Sequence, residues 1–479
     1  MRLKTNKIVI AIVTILSFSS ISGQQKKNVL LICVDDLRPE LKSFGADYIV
    51  SPNMDALAKN GRAFYNHYVN APSCGPSRYT MLTGLYETTG TFKNANAALF
   101  RRQKKMKENP NTVLPSMPDW FKQHGYTTLA LGKVSHHPGG RGGKGWNDPN
   151  EIEMPGAWDK SWIPYAQWKS PQGAMHGLAN GETRKNASNM AVFQSKEGDD
   201  TTYPDGHIAN AAIQTLEKLR ENKQPFFFAV GFIRPHLPFG APKKYYDIYN
   251  GVQIPDAPFP EKPVWNSTWH ASGEFMKYNR LDKDPRDDKN FANEVKKHYA
   301  ACVTYTDAQV GKVLDKLKET GLDKNTVIVL WGDHGWSLGD HAIWGKHSLF
   351  DEALHSPLII VDKSVRKKGK GTKAIVETVD IFPTLCDLTD LPIPAFADGV
   401  SLKPLLRNPK EKGHVAFAYR NDACSIRNHT YRLTLKANKP IELFNHKKDP
   451  FETNNVIAQH PKVVKELLQL VKLKDLKRN

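Results

Sequence analysis

The chain has 479 residues, with 67 Lys and Arg against 49 Asp and Glu, a formal charge of +18, 40% hydrophobic and 24% charged residues. This composition excludes a disordered, collagenous or low-complexity chain, and five cysteines in this length exclude a disulfide framework. The basic excess calls for an anionic partner and leaves nucleic acid, a membrane surface and an acidic polysaccharide open.

The opening residues place Arg2, Lys4 and Lys7 before an apolar run at 8–16 and small residues at 17–23. That is the pattern of a signal peptide over residues 1–22, and its apolar run is short for a bilayer span. It predicts an exported protein, periplasmic or secreted, with no membrane anchor, which disfavours nucleic acid as the partner.

Residues 28–34 form a continuous apolar run that ends in Asp35 and Asp36. The run predicts a buried strand of a parallel sheet, with acids at its C-terminal edge, where ligands gather in open α/β sheets. A short helix is expected over 52–59, stopped at Gly61, then a helix over 119–125 and a strand over 127–131. Residues 138–205, rich in Gly, Pro and Trp, read as a long irregular insertion; Trp158, Trp162, Tyr165 and Trp168 within it suit either sugar stacking or core packing. A helix over 207–222, a strand over 225–230, a Pro-rich loop over 255–290, a long helix over 291–320 and strands over 326–331 and 358–361 follow. Alternating strands and helices predict a mainly parallel sheet covered on both faces. Beyond about residue 410, short alternating stretches and a helix over 461–474 predict a small α+β subdomain at 411–479. The basic clusters at 101–107 and 366–373 read as solvated surface.

Three polar groups follow predicted buried strands: Asp35 with Asp36, Lys133 with His136, and Asp333 with His334. His236 follows a fourth strand. Such strand ends converge on one edge of a sheet and make a site there. Carboxylates held at that edge need compensation, and an oxygen-rich set suits a hard cation such as Ca²⁺ or Mg²⁺. Cys74 precedes an expected helix start with Pro76 in its first turn, and Arg78 follows one turn later. A helix N-terminus favours anions and lowers a thiol pKa, so the pair reads as a nucleophile beside an anion clamp.

The stretch 74–84 fits the type I sulfatase signature C/S-x-P-S-R-x-x-x-L-T-G at every fixed position. With the strings at 28–39, 132–136, 234–239, 332–341 and 344–346, the chain resembles the iduronate-2-sulfatase-like branch of that family over roughly 28–410, and more weakly at 442–445 and 449–452. The commonest sulfatase string Gly-Lys-Trp-His carries its His one residue earlier; here it falls at His136, a spacing the iduronate branch shares, with His137 next to it.

The resemblance implies an α/β fold, the alkaline-phosphatase-like sandwich, with a catalytic domain over 24–410 and the α+β subdomain over 411–479. It implies that Cys74 is oxidised by a maturation enzyme to formylglycine, an aldehyde that hydrates to a diol. Ca²⁺ would be held by Asp35, Asp36, Asp333, His334 and the modified Cys74. Arg78 would steady the diol, Lys133 and Lys346 would meet the sulfuryl oxygens, His236 would protonate the leaving sugar oxygen and His136 would act as base. Lys133, His236 and Lys346 would also bind substrate. His341, His347 and His355 suit structural roles and substrate contact equally. The implied activity is sulfate ester hydrolysis on an acidic sulfated polysaccharide, with ulvan-type algal glycans first and iduronate 2-sulfate in glycosaminoglycans second. A phosphoester or phosphonate hydrolase and a non-catalytic glycan-binding protein are the rival classes.

Overall fold

The computed structural model describes residues 26–86 and 96–476. The expected signal peptide lies outside the described residues. Among those described, no helix is long and apolar enough to cross a membrane.

The organising element is an eight-stranded sheet. Its strands in chain order are β1 (Asn28–Val34), β2 (Arg62–Tyr68), β3 (Thr127–Gly132), β4 (Lys160–Trp162), β5 (Phe226–Phe232), β6 (Thr326–Gly332), β7 (Leu358–Val361) and β8 (Thr372–Glu377), arranged β8-β2-β7-β6-β1-β5-β3-β4. β7 runs antiparallel to β6 and β2, and every other pair is parallel. β1, β5 and β6 are buried along their whole length, which is why they read as unbroken apolar runs.

Alternation along β1 feeds two separate cores. Leu30, Ile32 and Val34 join the layer beneath helices Pro204–Leu219 and Lys289–Glu319. Val29, Leu31 and Cys33 join the opposite layer with Met81 and Leu82 of helix Cys74–Thr83 and with helix Ile381–Leu388. This period of two puts helices on both faces, the α/β sandwich that the motif resemblance implies.

β2 and β8 escape an apolar-run reading because polar residues interrupt them. Arg62 of β2 is fully buried, its guanidinium met by the carbonyls of Leu405, Leu406, Arg366 and Lys370. The basic segment 366–373 thus keeps most side chains in solvent but turns its backbone inward to serve a buried cation. In the other basic cluster Arg102 is buried, donating to Asp119 (3.2 Å) and to the Leu114 carbonyl (2.9 Å).

The segment 138–205 is not wholly irregular. It supplies edge strand β4, whose three residues pair in register with Leu129–Leu131, and a strand, Phe193–Lys196, that pairs with Phe239–Pro242. Such short strands carry no period of their own; the neighbouring strand fixes them. The insertion's aromatics serve packing: Trp168 is buried with its Nε1 donating to the Leu178 carbonyl, Trp158 packs on Phe227, and Trp162 stacks on Phe228.

The C-terminal part is an antiparallel sheet of β9 (Ala416–Arg420), β10 (Ala423–Arg427), β11 (Tyr431–Lys436) and β12 (Lys439–Asn445), with helix Pro461–Leu476. It is stitched to the main sheet: the Tyr419 amide donates to the Asn70 carbonyl (2.9 Å) and the Phe417 amide to the Glu377 carboxylate (2.7 Å).

Candidate active site

The register of the parallel strands builds the site. Val34 lies opposite both Phe232 and Gly332, and Gly132 lies opposite Gly231, so β1, β3, β5 and β6 end level with one another. The residues after those ends therefore share one edge: Asp35 and Asp36, Lys133, the loop that carries His236, and Asp333 with His334. Backbone bonds continue past the strands, from the Asp333 amide to the Val34 carbonyl (3.1 Å) and from the Lys133 amide to the Gly231 carbonyl (2.8 Å). A Cβ on Gly231 would lie inside the Lys133 backbone, so only glycine lets the two chains approach this closely.

Helix Cys74–Thr83, buried at all ten positions, delivers Cys74 to this edge. The sulfur lies 3.3 Å from His334 Nε2, 3.3 Å from Lys346 Nζ and 3.8 Å from Asp36 Oδ1. Arg78 is brought onto the carboxylates: Nε donates to Asp333 Oδ2 (2.9 Å), Nη2 to Asp35 Oδ1 (3.1 Å), and Nη1 to the carbonyls of Lys133 and Val134. Its donors are thus committed to the acidic cage rather than to the Cys74 sulfur. Lys133 pairs with Asp35. Lys346, returned to the edge by the small ribbon Ser337–Leu338 with Trp344–Gly345, pairs with both oxygens of Asp36 (2.9 and 3.1 Å).

These groups are all but sealed from solvent, with Lys346 and Cys74 each 3% exposed and Asp35, Asp36, Arg78, Lys133, Asp333 and His334 at 0%. Burial and the Asp35 carboxylate push the Cys74 thiol well above its usual range, although Lys133 and Lys346 pull the other way. The helix N-terminus, worth at most about 2 kcal/mol, is outweighed by desolvation of several kcal/mol, so the expected lowering of this thiol is not what the site produces. Burial raises Asp36 to about 7, against the pull of Lys346, and raises Asp333 well above the carboxylate range with Asp35 adding to it. Burial opposes ionisation of Asp35 too, but Lys133, His236 and Arg78 hold it well below that range.

Asp35, Cys74, Asp333 and His334 offer donor atoms that all lie within 4.8 Å of one another, as do Asp35, Asp36, Cys74 and His236. Carboxylates crowded this closely and deprived of water form a set that a divalent cation would relieve, and their oxygen-rich chemistry fits a hard one.

The two remaining histidines differ. His236 Nδ1 faces the Leu237 carbonyl (2.5 Å) and its Nε2 lies 3.8 Å from Glu274. His136 is half-buried beside His137 and Trp146, its Nδ1 shut from solvent with no hydrogen-bond partner among the described residues, while His137 is taken by Glu153 (2.7 Å). Burial, then Lys133, pushes both His136 and His236 well below the usual imidazole range.

Glu274 was not legible in the sequence: it sits on a four-residue helix inside a Pro-rich loop, with no motif around it. It stands 3.6 Å from Lys346 Nζ and 3.6 Å from His347 Nε2, and with His347 it lines a cavity of about 760 Å³ that opens beside the reaction centre. Trp269 and Tyr278 are the aromatics of that cavity; Trp158, Trp162, Tyr165 and Trp168 do not reach it. Of the other histidines, His341 stacks on Phe350 at 4.0 Å and His355 faces the Tyr65 carbonyl (2.6 Å), both structural.

The level edge of parallel strands belongs to an α/β sandwich of the alkaline-phosphatase-like fold, and at that edge a buried cysteine at a helix start sits inside a cage of acids and cations. The sulfatase family model matches residues 27–391, and a model of the N-sulphoglucosamine sulphohydrolase C-terminal region matches 339–478. The chain belongs to the sulfatase family and is a sulfuric ester hydrolase. It is 32% identical to human iduronate 2-sulfatase over 406 residues, 77% of this chain and 70% of that protein. It is 31% identical to a sulfatase of Formosa agariphila over 449 residues, 90% and 83% of the two chains, and 27% identical to an ulvan-active sulfatase of the same organism over 459 residues, 91% and 78%. Two solved structures share the fold. One, in complex with its substrate D-glucosamine-2-N,6-O-disulfate, superposes with a TM-score of 0.71 at 22% identity, covering 94% of this chain and 97% of its own. The other, a phosphonate monoester hydrolase of Agrobacterium radiobacter, gives 0.72 at 23%, covering 95% and 96%.

Proposed function

We propose that the protein is an exported sulfatase of acidic sulfated polysaccharides or their oligosaccharides, with ulvan-type glycans first among its substrates, formylglycine made from Cys74 as its nucleophile and Ca²⁺ as its metal. The observation that carries this reading is the position of Cys74: at the start of a buried helix, within the signature 74–84, and in one donor cluster with Asp35, Asp333 and His334. The ulvan-active relative supports the substrate. Human iduronate 2-sulfatase, at higher identity, supports a second reading, iduronate 2-sulfate in glycosaminoglycans. Both are sulfated, uronate-bearing glycans. The division of labour proposed here is a catalytic domain over 24–410 and an α+β subdomain over 411–479.

Asp35, Asp36, Asp333, His334 and the modified Cys74 would hold the Ca²⁺, which supplies positive charge beside the nucleophile and the sulfuryl group. Formylglycine, installed by a maturation enzyme, supplies as its hydrate a hydroxyl nucleophile and a second hydroxyl through which the aldehyde is restored. The chain's own residues do the rest. Arg78 locks Asp35 and Asp333 in place. Lys133 and Lys346, desolvated and fixed, meet charge on the sulfuryl oxygens. An anionic ester offsets those two lysines, and with Glu274 near Nε2 it lifts His236 toward the protonated form that hands a proton to the leaving sugar oxygen. His136, held neutral with an unpartnered Nδ1, is suited to take a proton.

Mass spectrometry of the Cys74 peptide tests the nucleophile: formylglycine lowers its mass by about 18 Da as CH₂SH becomes an aldehyde, whereas an unmodified thiol in active protein would refute it. Desulfation of defined ulvan and heparan fragments, read by NMR, separates the two substrates. Faster cleavage of a matched phosphate or phosphonate ester would overturn the sulfatase preference.

A further inference from the structure

The cavity beside the reaction centre is lined by four full cations, Arg184, Lys277, Arg420 and Lys436, against two carboxylates, Glu274 and Asp422. Glu274 is already faced by Lys346 and His347. Among the described residues none of the four cations makes an ion pair.

Two of the four are set by the C-terminal sheet. Arg420 ends β9 and Lys436 ends β11, and both stand in register with Ala423 of β10. Residues opposite one another across a sheet point to the same face, so two cations flank a small side chain, and two strand spacings separate them by about 10 Å. Arg420 is further fixed by its Nε, which donates to the His347 carbonyl (3.2 Å); its terminal nitrogens remain available to the cavity. Arg184 lines the same cavity, its guanidinium 4.8 Å over the Tyr278 ring. A stacked guanidinium keeps its edge donors for a planar oxyanion. Like charges brought round one concavity without partners repel unless an anion joins them.

We infer that Arg184, Lys277, Arg420 and Lys436 form a subsite for a second oxyanion of the substrate, a carboxylate or a further sulfate on the sugar next to the one being desulfated. The inference rests on the sulfatase reading above and adds that the preferred substrate carries at least two negative charges. Glu274 marks the junction: it repels an anion immediately beside the reacting sulfate and accepts hydrogen bonds from sugar hydroxyls there. The two anions are therefore read at separate places with a neutral segment between them.

Three matched substrates test this: a sulfated disaccharide bearing a uronate, its carboxyl-reduced counterpart, and the reduced form with a second sulfate. The wild type is expected to favour the doubly anionic forms in kcat/KM by about tenfold or more, the scale of one charge-assisted contact, and the preferred form identifies the anion. In Arg420→Gln/Lys436→Gln the preference should fall below about threefold, within the worth of a screened charge contact, and 0.5 M salt should shrink the wild-type preference. Equal turnover of all three by wild type, or an unchanged preference in the double variant, overturns the subsite. Should the double variant fail to fold, the exposed Lys277→Gln and the wild-type salt series decide by the same criterion. Turnover of none of the three, nor of 4-nitrophenyl sulfate, would overturn the sulfatase reading itself and the subsite with it, whereas 4-nitrophenyl sulfate cleavage without discrimination overturns the subsite alone.

Discussion

The reaction centre and the cavity beside it handle charge in opposite ways. In the centre Arg78, Lys133 and Lys346 are buried and each is fastened to a carboxylate. In the cavity wall Arg184, Arg420 and Lys436 are half-buried, Lys277 is exposed, and among the described residues none of the four is in an ion pair. Fixed, desolvated charge stabilises a transition state at no reorganisation cost; unpaired charge on an open surface waits for a ligand and is screened by salt. On the proposals above, the centre would transform a sulfate ester and the wall would choose which one.

The largest expected effect falls on the centre. Cys74→Ala should lower turnover by about 10⁴-fold or more, as loss of a nucleophile does, with an unchanged melting temperature and intact glycan binding by calorimetry. Normal turnover in this variant would remove the nucleophile from the centre. Next, Lys346→Ala should lower kcat by roughly 10²–10³-fold on singly and doubly anionic substrates alike. A loss confined to the doubly anionic ones would move Lys346 from the centre to the wall and erase the contrast.

The C-terminal sheet that carries half of the wall has a buried charge of its own. Arg432 is clamped by the Glu452 carboxylate, which also accepts from the Asp351 amide (3.1 Å) and from His446 (2.8 Å). Within the strings at 442–445 and 449–452, Glu442 accepts from Trp265 Nε1 (2.8 Å) and Glu452 ties the C-terminal sheet to Asp351. Arg432→Ala leaves Glu452 buried and short of its main partner, and should cost roughly 3–5 kcal/mol by urea unfolding. Discrimination between substrates should weaken in this variant before 4-nitrophenyl sulfate turnover does.

The same contrast explains what was legible in the sequence. The centre is written locally: Asp35, Asp36, Asp333 and His334 directly follow apolar strands whose burial dictates their composition, and 74–84 is one short string. The wall is written nowhere in particular. Arg420 and Lys436 are ordinary cations at strand ends, 16 positions apart, and only the pairing of both with Ala423 makes them neighbours. Glu274 lies in a loop without periodicity. β2 is equally silent, because Arg62 and His67 break the apolar run while the fold satisfies them from distant carbonyls and hydroxyls; in β8, Thr372, Lys373 and Glu377 leave only three apolar residues in a row. The thiol of Cys74 departs from the sequence expectation for a related reason: a helix start is visible in a sequence, whereas the burial and the carboxylates packed round it are not.

The smallest effect concerns the joint between the regions. His414, just before β9, faces Asp380 through Nε2 (2.7 Å) and Glu377 through Nδ1 (3.4 Å). Burial disfavours its charge, but Asp380 and then Glu377 prevail and raise it to about 10. A histidine raised from its unfolded value of about 6.5 contributes its full stability below that value and loses it as pH climbs through the folded one. The melting temperature of wild type relative to His414→Gln should therefore be highest near pH 6 and converge toward the variant by pH 10. Glu377 also receives the Phe417 amide, so this pair holds the wall against the main sheet. A difference that stays constant across the range would mean that packing alone seats the C-terminal sheet, and the wall's alignment with the centre would then be insensitive to pH.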